Sequence, residues 1–210
     1  FISVIDSDPG AKKFDYKVFT YDTSLIRIFP LCLLKGNAAI HGISNALDTF
    51  IDVKGSGYEE IILVGHSLGG VIIKNFLVDY IHSYSKYKNV KKVIFYAVPH
   101  NGAFLANANA LLSSVFSLGL CNVRQLLELN KESSFLDKLN DQWVRANPSQ
   151  YLDITCVVAN ADKIVSPASA KTECRYNLKS IEGEGHRSVV KPKDSDSLSY
   201  QIFRSVIFKK

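Results

Sequence analysis

The stretch EEIILVGHSLGGVIIKNFLVDY, residues 59 to 80, constrains the fold more than any other part of the chain. It begins with a short, continuous apolar run rich in β-branched residues, which is typical of a strand buried on both faces of a parallel sheet. A Gly-x-Ser-x-Gly turn follows, and the residues after it return to helical spacing. The sequence therefore predicts a strand, a sharp turn that carries Ser67, and a helix.

Such a turn requires small residues on either side of the serine. We predict that Gly65 and Gly69, two positions before and after Ser67, let the strand and the helix backbones pass each other. Gly70 is predicted to let the helix pack close to the sheet. The turn would hold Ser67 in a strained backbone conformation, as is common at functional sites. A tight turn with an incidental serine is the alternative, because the motif by itself also arises by chance.

The rest of the chain alternates predicted strands with predicted helices, so we expect an α/β fold with a mostly parallel sheet flanked by helices. In such sheets the chemistry gathers at the carboxyl ends of the strands. We expect a single domain over residues 1–210, with an inserted helical cap over about 103–150. The predicted strands include residues 16–22, 91–99, 151–160 and 177–183, and the helical patterns cover 37–53 and 197–208, with 1–10 as the end of a helix.

A serine hydroxyl becomes a nucleophile only beside a base that a third group orients. Of the five histidines, only His186 lies near the end of the chain, directly after the last predicted strand, and it is the predicted base. A solvated loop histidine is the alternative. Asp162, in the loop after strand 151–160, is the predicted acid. Asp153 lies at the wrong end of that strand.

Three further residues are expected to line or brace a pocket: His66, His100 and Phe104. For each histidine, a structural residue with satisfied hydrogen bonds is the alternative. Residues 104–120 are apolar enough to form the wall of an acyl-chain site, although a buried cap helix would have the same composition.

The cysteines Cys32, Cys121, Cys156 and Cys174 lack the spacing of a metal site, and we expect them to be reduced and buried. The net charge of +5 is modest and comes mostly from the last forty or so residues, where basic and acidic side chains alternate. This pattern favours a solvated basic face, with contact to anionic lipid headgroups as the alternative, and it does not favour nucleic-acid binding. The sequence has no apolar run long enough to span a bilayer and no signal-peptide pattern, so a cytoplasmic location is expected.

Four segments carry a resemblance to a known family: LVGHSLGG, YAVPHNGAFLA, ADKIVSP and GHRSVVKPKDSDSLSYQIF. Through them the chain resembles the serine esterases of the α/β-hydrolase superfamily, nearest the branch with SERAC-like and GPI inositol-deacylase-like proteins. The resemblance covers residues 14–210. It implies hydrolysis of carboxylic esters, often lipidic, by Ser67, Asp162 and His186 without a metal or cofactor. A hydrolase-like domain that binds or signals without turnover, and a thioesterase or peptidase with the same triad, are the alternatives.

The family also implies an oxyanion hole built from two backbone N–H groups. One should belong to Leu68, the residue after the nucleophile. The other comes from a His-Gly loop after a central strand, and no such loop follows the apolar run FISVI. The sequence begins at Phe1 and contains no methionine. We therefore predict that the polypeptide extends upstream and that a strand between 16–22 and 60–65 comes from that part.

Overall fold

The computed structural model describes residues 1–21, 36–80, 87–100, 133–171, 174 and 177–209. Within them, four strands form one parallel sheet in the order β1-β2-β3-β4: β1 (Ile61–His66), β2 (Val90–Tyr96), β3 (Asp153–Ala159) and β4 (Leu178–Ile181). The helices are α1 (Ile2–Ser7), α2 (Gly36–Gly55), α3 (Leu68–Tyr80), α4 (Ser133–Ala146), α5 (Pro167–Lys171) and α6 (Leu198–Ile207). Short 3-10 turns cover Ala11–Lys13, Pro148–Gln150 and Ser188–Val190.

Each face of the sheet carries its own hydrophobic core. In β2, Val93 and Phe95 pack with α2, α3 and α4, whereas Ile94 and Tyr96 pack with α1 and α6. This division follows from the pleat of a strand, in which successive side chains point to opposite faces. The continuous apolar run of β2 therefore belongs to a strand buried on both faces, whereas β1 is only partly buried. The predicted α/β class with a parallel sheet is confirmed.

A buried carboxylate joins the first helix to the last. Asp8, directly after α1, is 6% exposed and accepts hydrogen bonds from the Tyr200 hydroxyl at 3.0 Å and from Arg204 Nε at 2.9 Å. The Gly10 N–H donates to the same carboxylate at 2.8 Å. These donors replace the water that the charge loses on burial. The predicted helix within residues 1–10 is confirmed, and Asp8 fixes it against α6.

The strand predicted over residues 16–22 is wrong for the part that the structure describes. Residues 16–21 are in neither a helix nor a strand, and most of their side chains are exposed. Phe19 packs on Phe50 of α2, with ring centroids 5.3 Å apart. The β-branched and aromatic residues of this segment favour a pleated, half-buried surface, but this preference makes a strand only where a neighbouring strand supplies the ladder.

The predicted cap is described only in its second part. Residues 101–132 lie outside the described part of the chain, and α4 packs on the core through its apolar residues. The cap therefore stays a prediction. Trp143 lies against Phe95 with ring centroids 6.0 Å apart, and the Phe135 ring centroid lies 6.0 Å from that of His41 in α2.

No described helix combines the length and the apolar character needed to cross a bilayer.

Strand β1 pairs with β2 and, among the described residues, with no strand on its other side. Val64 of β1 is 45% exposed. Residues 16–21 do not pair with β1, and α1 is not part of the sheet. The additional strand that we expected beside β1 therefore stays a prediction.

The close approach of strand and helix at the turn depends on two glycines. A Cβ atom at Gly65 would lie 2.8 Å from the Gly70 Cα, and one at Gly70 would lie 2.1 Å from the Val98 Cγ2. The predictions for Gly65 and Gly70 are therefore confirmed. A Cβ at Gly69 meets no described atom within 4 Å, so the expected crowding at Gly69 is not found there.

This difference predicts opposite outcomes for two neighbouring substitutions. Gly70→Ala is expected to lower the free energy of unfolding by about 1 to 3 kcal/mol, since the new methyl group overpacks against buried Val98. Gly69→Ala is the matched control, and it should be neutral or stabilising by up to about 1 kcal/mol because alanine favours the helix. Urea unfolding measures both. Equal stability of the two variants would contradict the packing argument.

Candidate active site

The three residues predicted to form a triad meet at one edge of the sheet. Ser67 directly follows β1, Asp162 lies in the loop after β3, and His186 lies in the loop after β4. Because the strands are parallel, these loops emerge at the same edge. The structure thus brings together three side chains that are far apart in the sequence.

Ser67 occupies a backbone conformation that L-residues rarely adopt. Its φ of 52° lies in the left-handed region. The Ser67 N–H donates to the Tyr96 carbonyl at 3.0 Å, and the Gly70 N–H donates to the Ser67 carbonyl at 3.0 Å. The turn is therefore fixed both to the end of β2 and to the start of α3, and these contacts maintain strain that a free chain would release.

The His186 ring connects Ser67 to Asp162. Its Nδ1 lies 2.8 Å from Asp162 Oδ2 and its Nε2 lies 2.9 Å from Ser67 Oγ. An ionised carboxylate only accepts hydrogen bonds, so the proton belongs on Nδ1 and the Nε2 lone pair faces the serine hydroxyl. The hydroxyl is then the donor in the second bond. This tautomer can accept a proton from Ser67.

Both oxygens of Asp162 have partners in its buried position. The side chain is 1% exposed, and Oδ1 accepts from the backbone N–H groups of Ile164 at 2.7 Å and Val165 at 2.9 Å. Oδ2 is left to face His186. Asp153, the weaker candidate, lies at the start of β3 and pairs with Lys209 Nζ at 2.7 Å, at the opposite end of the strand.

Leu68, the predicted oxyanion-hole residue, is the first residue of α3. The first N–H groups of a helix have no acceptor within the helix, and they carry the positive end of its dipole. This position suits a group that stabilises a developing negative charge. Its role stays a prediction.

His66, predicted to line or brace the pocket, lies directly beside His186, the predicted base. Its Nε2 is 2.7 Å from the carbonyl oxygen of His186, and the two ring centroids are 4.8 Å apart. Burial and then the neighbouring His186 ring lower the pKa of His66 to about 4. The imidazole is therefore neutral above about pH 5, and its Nε2–H donates to the carbonyl.

His100 has different surroundings from those predicted. It is 1% exposed, its ring packs on Phe95 with centroids 5.3 Å apart, and its Nε2 lies 3.7 Å from Cys156 Sγ. Its Nδ1 has no hydrogen-bond partner among the described residues, so the expected satisfied structural histidine is not found either. Burial lowers the pKa of His100 well below its usual value, with a smaller effect from Lys74. These contacts place His100 in the core and do not support a pocket-lining role. Phe104 lies outside the described residues.

The expectation of reduced thiols is wrong for one pair of cysteines. Cys156 and Cys174 are buried as predicted, but a disulfide joins them, with their Cα atoms 5.8 Å apart, which lies within the usual range for a disulfide. Helix α5 turns the chain back on β3, which sequence spacing does not reveal. His100, Cys156 and Cys174 lie close together, and histidine and cysteine are residue types that bind soft metals. Here, however, the two sulfur atoms are bonded to each other. Cys32 and Cys121 lie outside the described residues.

The chain is distantly similar to known proteins in sequence and shares its fold with a solved structure. No protein-family model matches the chain. The chain is similar to Protein SERAC1 of Danio rerio, with 25% identity over 158 residues that cover 70% of this chain and 23% of that protein. Protein SERAC1 of Homo sapiens is 24% identical over 196 residues, which cover 86% of this chain and 28% of that protein. The chain thus spans less than a third of the length of these curated relatives.

A solved structure gives the fold. The crystal structure of MGS-MChE2, an alpha/beta hydrolase enzyme from the metagenome of lagoon sediments in Morocco, aligns with a TM-score of 0.52. The two chains are 19% identical, and the alignment covers 80% of this chain and 71% of that one. This likeness, together with the parallel sheet, shows that the chain has the α/β-hydrolase fold.

Proposed function

We propose that this protein is a serine hydrolase that cleaves carboxylic esters through an acyl-enzyme intermediate. The observation that carries the proposal is the unbroken chain of contacts from Ser67 Oγ to His186 Nε2 at 2.9 Å, and from His186 Nδ1 to Asp162 Oδ2 at 2.8 Å. Nucleophile, base and orienting acid therefore stand within hydrogen-bond reach of one another, as acyl transfer requires.

In the first half of the reaction, His186 Nε2 takes the hydroxyl proton while Ser67 Oγ attacks the ester carbonyl. The tetrahedral intermediate bears its negative charge on the former carbonyl oxygen, where the Leu68 N–H stabilises it. Asp162 holds the imidazolium that forms. When the intermediate collapses, His186 gives its proton to the departing alcohol, and the acyl group remains on Ser67.

The second half repeats these steps with water in place of the serine hydroxyl. His186 takes a proton from the water as its oxygen attacks the acyl-enzyme carbonyl. Collapse of the second tetrahedral intermediate breaks the bond to Ser67 Oγ, which receives the proton back from His186. The carboxylic acid leaves, and the starting state of the triad is restored.

The direct test is covalent labelling with a fluorophosphonate probe. An activated serine attacks the phosphorus, whereas an ordinary serine does not react at neutral pH. We expect one probe per molecule, with peptide mass spectrometry placing the adduct on Ser67. Absence of labelling in the folded protein would favour a hydrolase-like domain without turnover and would refute the proposal.

A further part of the proposal is that the acyl group is lipidic. The apolar composition of residues 104–120 supports this part. Hydrolysis of nitrophenyl esters of increasing acyl length measures the preference. Rates that rise toward long chains would support a lipidic substrate, because long acyl chains require a contiguous apolar wall. A steady decline beyond short acyl groups would remove this part of the proposal. Parallel assays with thioester and peptide substrates separate the two related activities.

A further inference from the structure

His66 is adjacent to the nucleophile in sequence and to the base in space. It is the last residue of β1, and its side chain reaches across to the loop that carries His186, 120 positions further along the chain. The bond it makes there is to the main chain of His186, whose imidazole is already bonded at both nitrogens to Asp162 and Ser67. His66 therefore acts on the position of the backbone and leaves the reacting atoms of the base free.

The loop that carries His186 also makes hydrogen bonds, within the described residues, that do not involve His66. The Ala161 N–H donates to the Glu184 carbonyl at 3.0 Å, which connects the acid loop to the base loop. Within the base loop, the Gly185 N–H donates to Ser188 Oγ at 2.9 Å. Neither bond sets the distance between the base and the serine. Among the hydrogen bonds of the described residues, the one from His66 fixes the His186 backbone to β1, the strand that ends directly before Ser67.

The charge state of His66 suits this position. Its ring centroid is 4.8 Å from that of His186, which becomes positively charged during acyl transfer. A second positive charge at this distance would oppose the imidazolium. Burial and the neighbouring ring keep the pKa of His66 at about 4, so the ring donates its hydrogen bond while it remains neutral.

We propose that His66 is a positioning residue that holds the His186 main chain at the distance from β1 at which Nε2 meets the Ser67 hydroxyl. This inference rests on the proposed function. A misplacement of a reacting group by about 1 Å costs on the order of 100-fold in rate. Loss of the bond should therefore lower kcat and leave the binding of substrate nearly unchanged.

The test compares two substitutions at this position. His66→Phe keeps a ring of similar size and removes the donor, whereas His66→Gln keeps an amide N–H that can reach the position of imidazole Nε2. For a nitrophenyl ester, His66→Phe is expected to lower kcat about 10- to 100-fold with KM changed by less than about twofold. His66→Gln should recover most of the loss. If the His66 ring only filled space, the amide of His66→Gln would not restore kcat.

Fluorophosphonate labelling of the same proteins separates the two proposals. If the wild type is not labelled at Ser67, the proposed function fails. If the wild type is labelled and His66→Phe reacts equally fast, or if His66→Gln is as slow as His66→Phe, the positioning role of His66 fails alone. We expect slow labelling of His66→Phe that still reaches one probe per molecule. Should His66→Phe not fold, His66→Leu takes its place with the same expected loss and the same rescue by His66→Gln.

Discussion

Replacing Ser67 with alanine is expected to lower kcat for a nitrophenyl ester by a factor on the order of 10⁶, the size of effect known for serine nucleophiles. In the proposed mechanism Ser67 Oγ forms the acyl-enzyme, and without this oxygen His186 is left with only water to activate. Residual turnover would come from binding and from the Leu68 N–H, which the substitution leaves in place. Steady-state kinetics measures the change in kcat, with the concentration of each protein determined independently.

A second serine provides the control for this substitution. Ser7, at the end of α1, is exposed and donates only to the Ser3 carbonyl, so Ser7→Ala should retain full activity. The melting temperature of Ser67→Ala should remain close to that of the wild type, because serine and alanine tolerate the φ of 52° similarly. Undiminished hydrolysis by folded Ser67→Ala would show that another group performs the reaction.

Asp162→Asn is expected to lower kcat by about 10³- to 10⁴-fold, because it changes the tautomer of His186. The N–H groups of Ile164 and Val165 both point at Oδ1, so the amide oxygen of asparagine takes that position. Its NH₂ group then faces His186 Nδ1. A donor at that point requires the lone pair on Nδ1 and moves the ring proton to Nε2. In this tautomer His186 has no lone pair for the proton of Ser67.

Asp153→Asn is the matched control for this prediction. It makes the same chemical change on the same strand, but at the end away from Ser67, where the carboxylate pairs with Lys209. Its activity should equal that of the wild type. Retention of more than about a tenth of the activity by Asp162→Asn would contradict its assignment as the orienting acid. An equal loss in both variants would instead indicate a general effect on the protein.

The parallel strands were the most predictable part of the fold. Their alternation with helical patterns led to the α/β class and to the carboxyl-end placement of Ser67, Asp162 and His186. The segment at 16–22 has the residue types of a strand but lies outside the sheet in its described part. Propensity alone did not predict this, because a strand exists only where another strand completes its hydrogen bonds.

Side-chain contacts across the chain were the least predictable part of the site. The disulfide between Cys156 and Cys174 and the core position of His100 depend on how α5 and the β2 loop pack, which leaves no mark in spacing. The motif drew attention to His66, but its bond to the His186 carbonyl joins residues 120 positions apart. For the same reason Gly70 and not Gly69 meets Val98.

Burial and backbone geometry impose local periods on the sequence, and these periods were sufficient to predict β1 to β4 and the residue types at their carboxyl ends. Packing of the whole molecule sets the distances of 2.9 Å and 2.8 Å from the His186 ring to Ser67 and Asp162, the tautomer of that ring and the partner of His66. Those quantities depend on the relative placement of loops that the sheet brings together. No local period of the sequence encodes a contact between two loops.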